Sequence, residues 1–175
     1  MNADTAVAPF RETFGLLRVE AARRATTEDQ VALVALLGSA RSELVDKRGG
    51  QVLALRDNAA HDLPAYVETC LSSQEMVVAI GTFDKVPMGF GLMRTFRAAD
   101  DAIHAVIKEL FVEPEARSVG IGEALLMFML DAARKRNALG IEALALPGDR
   151  ETKNFFETQG MSARALVAHR WLDDR

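Results

Sequence analysis

The amino-acid sequence predicts a mixed α/β (α+β) domain, with one mostly antiparallel sheet and helices packed on its faces. Three observations predict it. The hydrophobic period switches from about 3.6 residues to 2 and back along the chain. Three period-2 runs then follow one another through short turns, which makes them antiparallel neighbours. One long helical segment stands between two strand-like runs, as a parallel crossover requires. At 175 residues the chain has the length of one domain and can bury a sizeable core without staples.

Residues 1–13 hold only a small apolar patch (Val7, Ala8, Phe10) interrupted by Pro9 and read as a flexible tail, with one domain over 14–175. Phe14, Leu16, Leu17 and Val19 mark a first strand at 14–22. Thr27 stands three residues before Gln30, a capping-box spacing that opens a helix. Val31, Val34, Leu37, Leu44 and Val45 carry its period to about Lys47, and Gly49-Gly50 stops it. A second helix is expected at 63–71, with Pro64 tolerated in its first turn.

Met76–Phe83, Val86–Arg97 and Ile103–Val112 then read as strands. Asp84-Lys85 joins the first two, and a polar turn at 98–101 joins the next. Apolar residues on several sides make 120–139 a long helix closed by Gly140. A short buried-type strand follows at 141–146 and is broken by Pro147-Gly148. The chain finishes with a helix at 151–158 and a strand at 163–172.

Composition removes several functions. The net charge is −4, so bulk charge will not hold a nucleic-acid backbone, and any anion site must be local. The longest purely apolar run is 125–130, whereas a bilayer span takes about 20 residues. With no signal-peptide pattern either, a cytoplasmic location and no membrane partner are expected. Cys70 is the only cysteine, and His61, His104 and His169 show no ligand spacing, so no metal site is expected. A Gly-x-Ser-x-Gly nucleophile elbow is absent.

The informative stretch runs from Glu109 through Leu110-Phe111-Val112 to Arg117-Ser118-Val119-Gly120-Ile121-Gly122-Glu123. It couples a strand to a turn, two glycines and a helix start. The first N–H groups of a helix are unpaired and carry partial positive charge, so an anion such as a pyrophosphate can rest there. Glycine at 120 and 122 removes Cβ atoms that would keep the anion away, and Arg117 adds a permanent charge. A dinucleotide fingerprint fails because Leu125 occupies its third small position. A P-loop fails because Glu123-Ala124 follows the last glycine.

Arg117-x-x-Gly120-x-Gly122 behind Leu-Phe-Val-x-Pro resembles the acetyl-CoA motif of the GNAT superfamily of acyl-CoA-dependent N-acyltransferases. Phe155-Phe156-Glu157-Thr158-Gln159-Gly160-Met161 resembles that family's second motif. The resemblance implies a sheet of roughly six to seven strands with a splayed parallel pair and about four flanking helices. It implies acetyl-CoA as co-substrate and a primary amine of a small molecule as acceptor, with a protein acceptor and a homodimer left open. Leu110, Phe111 and Val112 would offer backbone groups to the pantetheine arm. Backbone N–H groups of Ser118, Val119, Gly120, Ile121, Gly122 and Glu123 would hold the pyrophosphate. Asp149 falls where the family often has an asparagine touching the pantetheine, and a helix cap is its simpler reading.

Phe156 falls where the family often has a tyrosine that protonates the departing thiolate, and phenylalanine cannot do so. Tyr66, the only tyrosine, lies in a region that flanks the acceptor site in this family and is the candidate substitute acid, with packing and one hydrogen bond as its simpler reading. Glu109 is the expected general base, with apolar neighbours that would raise its pKa. The competing reading makes it a structural carboxylate paired with Lys108 or an arginine. A non-catalytic acyl-CoA-binding or regulatory module is the alternative to an enzyme. The sequence names no acceptor.

Overall fold

The structure, a computed structural model, describes residues 20–57 and 62–172. Its five strands are β1 (Glu20–Arg24), β2 (Met76–Phe83), β3 (Val86–Arg97), β4 (Ile103–Val112) and β5 (Ile141–Ala143), adjacent in that order. The first three pairings are antiparallel and β4–β5 is parallel. Asp84 and Lys85 both have positive φ (50° and 69°), the two-residue turn whose twist matches the strands it joins. Helices α1 (Gln30–Asp46), α2 (Gly50–Asp57) and α3 (Leu63–Ser72) precede β2. Helix α4 (Ile121–Lys135) makes the crossover from β4 to β5, and α5 (Arg150–Thr158) follows.

Two apolar layers enclose the sheet. Leu33, Leu37, Val67 and Cys70 of α1 and α3 pack with Val78, Ile80, Phe90, Leu92 and Phe111 on one face. Leu126, Met129 and Ala133 of α4 and Phe156 of α5 pack with Val77, Met93, Ala105 and Ile107 on the other. Alternation is regular over 76–81 of β2 and 89–94 of β3, so each strand feeds both layers, and a register shift follows at Gly81/Thr82. Gly81, Gly89 and Gly91 form a groove for α4: a Cβ on Gly81 would lie 2.6 Å from Ile121 Cγ2, and one on Gly91 would lie 2.9 Å from Met129 Cε. The glycine row therefore sets how closely α4 approaches the sheet, and with it the position of the helix N-terminus.

Several expectations are corrected. Five strands stand among the described residues where six to seven were expected. The segment 163–172 makes no strand, and 162–170 are exposed. It has strand-like side chains but pairs with no strand among the described residues, and β5 is only three residues long. The part of the expected first strand at 14–19 and the histidine at 61 lie outside the described residues. Helix α1 ends at Asp46 with an extended Lys47 as its C-cap, Gly49 (φ +84°) lies in the turn that follows, and Gly50 opens α2, so the described helices number five rather than about four. The long helix stops at Lys135, and Asn137 turns the chain with φ 59° before Gly140. The inner stripe of α1 is Leu33, Leu36 and Leu37, while Val31 is 83% exposed. The cap forms one residue early: Thr26 N–H donates to Asp29 Oδ2 at 2.9 Å, and Arg23 clamps the same carboxylate.

Candidate active site

The position of Glu109 follows from a break in register. Met93 pairs with Ile107 but Leu92 pairs with Glu109, so β4 carries one extra residue, a bulge at Lys108. Counted from Ile107, strict alternation would turn Glu109 into the α4 layer. The bulge turns it, with Phe111, towards α1 and α3 instead. There its side chain is only 9% exposed. Burial pushes its pKa up to about 7, against the pull of Arg41, Tyr66 and Lys108. A carboxylate so placed exchanges protons near neutrality, as a general base must.

Helices α1 and α3 supply its surroundings. The Tyr66 hydroxyl stands 3.5 Å from Glu109 Oε1. Arg41 Nη2 lies 3.9 Å from the same oxygen, and its guanidinium stacks 5.2 Å from the centre of the Tyr66 ring. Burial and the nearby Glu109 charge raise the Tyr66 pKa, so this phenol keeps its proton at every working pH. Cys70, one turn after Tyr66, is buried in the same layer, with its thiol pKa pushed up by burial. An arginine does stand beside Glu109, as the reading of a paired carboxylate expects.

Beyond Val112 the chain makes a short 3-10 turn (Pro114–Ala116) and enters α4 through Ser118 (φ 63°) and Gly120 (φ 99°). No side chain caps this helix. Its first internal bond runs from Ala124 N–H to Gly120 O, so the amides of 121–123 lie ahead of the helical ladder. Ser118, Val119 and Glu123 are exposed, and Gly120 and Gly122 are half-buried. A Cβ on Gly122 would lie 3.3 Å from the Phe155 ring, so that glycine keeps the entrance between α4 and α5 open. Nothing larger than hydrogen stands on the two glycines of this entrance.

The parallel pairing of β4 with β5 covers only Ala105–Ile107, so the 108–112 end of β4 runs on without β5 beside it. Ionic contacts from α1 bridge the two sides of this opening. Arg117 pairs with Glu43, Glu43 with Lys47 (2.9 Å), and Lys47 with Asp149 (2.9 Å). Burial opposes the charge on Glu43, yet Arg117 and Lys47 hold its pKa below the usual carboxylate value. Arg117 Nε also donates to Val112 O at 3.0 Å, so the arginine braces the strand end. Asp149 caps α5 by accepting from Thr152 N–H at 3.1 Å, as its simpler reading predicts. Phe156 is buried in the α4 layer, edge-on to Phe155 at 5.4 Å.

The acetyltransferase (GNAT) family model matches residues 45–161, two thirds of the chain. The chain belongs to the acetyltransferase (GNAT) family. No curated protein matches it. Among solved structures, a tetramutant of the BH1408 protein from Bacillus halodurans superposes with a TM-score of 0.74 at 16% identity, covering 86% of this chain and 99% of that one. AAC(6′)-Iy, in complex with the bisubstrate analogue CoA-S-monomethyl-acetylneamine, gives 0.70 at 13% identity, with 87% and 98% covered. The ribosomal-protein-alanine N-acetyltransferase of Brucella melitensis biovar Abortus 2308 gives 0.64 at 16%, with 87% and 99% covered. At these identities the likeness is one of fold. This GNAT chain is accordingly an acyltransferase with the mixed sheet of its relatives.

Of the site residues expected from sequence, the fold brings Glu109 and Tyr66 together and places 117–123 at one helix entrance. Sequence reasoning missed Arg41, Glu43 and Lys47. Arg41 had a signal: it continues the Leu33, Leu37 series at a spacing of four, a charge on an inward stripe. Among the described residues no cluster of metal-ligating side chains occurs and no helix is long and apolar enough to cross a membrane.

Proposed function

We propose that this chain transfers the acetyl group of acetyl-CoA to a primary amine of a small molecule, both bound in one cleft. The observation that carries this is a single strand, β4, which presents a buried carboxylate titrating near 7 and then runs into an uncapped helix entrance. The complex of AAC(6′)-Iy with a CoA-containing bisubstrate analogue supports the donor and the acceptor class.

In this reading the amides of Ser118, Val119, Gly120, Ile121, Gly122 and Glu123 hold the diphosphate, beside Arg117. Leu110, Phe111 and Val112 line the pantetheine arm from the open side of β4, and Asp149 and Phe156 stand on the α5 side. Acetyl-CoA supplies a thioester, whose acyl carbon accepts the amine nitrogen while the C–S bond breaks. Glu109 takes the proton of the attacking amine, which at neutral pH must first be freed from an ammonium with a pKa near 10.4. N–H groups at the end of β4 steady the oxygen of the carbonyl. Tyr66, a weaker acid than a free phenol in these surroundings, is the candidate proton donor to the departing thiolate. Holding both partners in place supplies most of the rate.

The test is thiol release from acetyl-CoA across a panel of amines. At least one amine should give turnover, and Glu109→Gln should lower kcat/KM by about 10²–10⁴-fold. Phe156 favours a second reading, since it cannot donate a proton: a non-catalytic acyl-CoA-binding or regulatory module. Donor binding without turnover on every amine would establish that one.

A further inference from the structure

We propose that Arg41 is a positioning residue for Glu109, orienting its carboxylate and setting the pH at which it accepts a proton; this rests on Glu109 being the general base. Leu33 and Leu37 are each 1% exposed, and Arg41 follows them on the same inward stripe of α1 with only 17% of its side chain exposed. A leucine there would extend the core without the desolvation that a guanidinium carries. What the charge gains is Glu109. Arg41 Nη2 and the Tyr66 hydroxyl approach one oxygen, Oε1, from α1 and α3, at 3.9 and 3.5 Å. The Tyr66 ring supports the guanidinium from beneath at 5.2 Å, so the three side chains brace one another.

The groups that face Glu109 can be named element by element. Helix α1 gives Arg41, α3 gives Tyr66 and Cys70, and β4 itself gives Lys108; β3 offers only the apolar Leu92 as register partner. Tyr66 and Cys70 are neutral at working pH because both pKa values are raised. Lys108 is tethered to the same strand at the bulge. Among the described residues, Arg41 is thus the one cation that another element brings to the carboxylate. It opposes the burial that pushes Glu109 up to about 7.

Two readouts test this on the full chain. The first is the acidic limb of kcat/KM against pH for the wild type, Arg41→Met and Arg41→Lys. The second is the ¹³C carboxyl titration of Glu109 in glutamate-labelled protein, assigned by its loss in Glu109→Gln. In Arg41→Met both midpoints should rise by about one pH unit, since an opposite charge at this range shifts a carboxylate by that order. Arg41→Lys should bring both back towards the wild type. An unchanged carboxyl midpoint in folded Arg41→Met overturns the proposal, as does a lysine variant that behaves like methionine. If Arg41→Met does not fold, Arg41→Gln carries the same two tests. Should the carboxyl midpoint move while Glu109→Gln keeps full turnover, the general-base assignment fails and the effect of Arg41 on Glu109 stands.

Discussion

Gly81 and Ile121 touch across the sheet–helix boundary so closely that a Cβ on the glycine would lie 2.6 Å from Ile121 Cγ2 and 3.0 Å from Leu125 Cδ1. Ile121 is the first residue of α4, the helix whose entrance is the proposed anion cradle. The packing of β2 and the geometry of the site are therefore one constraint. Gly81→Ala should cost about 1–3 kcal/mol of stability by overpacking and should also weaken acetyl-CoA binding. Urea unfolding and calorimetry check this; lost stability with unchanged affinity would separate the cradle from the packing beneath it.

Gly120 holds φ +99°, where a side chain with a Cβ is strained. Gly120→Val should lower stability by about 1–2 kcal/mol and reduce acetyl-CoA affinity tenfold or more. A thermal melt with and without acetyl-CoA reads both effects. A variant stabilised by acetyl-CoA as strongly as the wild type would contradict the role given to the turn.

Asp149 joins two elements, accepting from Thr152 N–H at the start of α5 and pairing with Lys47 of α1. Asp149→Ala should cost about 1 kcal/mol, the usual worth of an N-cap. Asp149→Asn keeps the cap acceptor and gives up only a partly exposed ion pair, so it should stay within about 1 kcal/mol of the wild type. Equal losses in the two variants would show that the ion pair, and not the cap, is the contact that matters.

Much of this architecture is legible in the sequence because local and global preferences agree. The strands at 76–83, 86–97 and 103–112 are bounded by turns that suit them, and their ends match the structure. The Arg117-to-Gly122 entrance is legible because φ at 120 demands glycine and the helix follows at once. The bulge at Lys108 is not. Val106-Ile107 before the Lys108-Glu109 pair and Leu110-Phe111 after it are apolar at successive positions, so the pattern does not show that one residue is extra, yet the bulge decides which layer Glu109 enters. The 163–172 segment misleads for the opposite reason, since strand-like side chains need a partner edge and β5 is too short to offer one. Arg41 is legible as a charge four residues beyond Leu37 on the stripe of α1, and the burial of Leu33 and Leu37 shows that this stripe faces the sheet.

Glu109 also gives the fold a pH dependence whose sign can be worked out. Its folded pKa of about 7 stands above its ordinary value of 4.5, mainly because it is buried. The stability it contributes is complete below pH 4.5 and is lost as pH rises through 7. Between those limits the stability difference should move in favour of Glu109→Gln by on the order of 1–3 kcal/mol. Melting curves of both proteins across that range check it, and a constant difference would mean that Glu109 titrates normally.

Titration calorimetry of the wild-type chain with acetyl-CoA is the most direct measurement of all. Heat should saturate at one donor per chain, and the signal should vanish when Arg117→Glu is combined with Gly120→Trp. A folded wild-type protein that gives no heat at millimolar acetyl-CoA would contradict the assignment of the 117–123 entrance as the donor site.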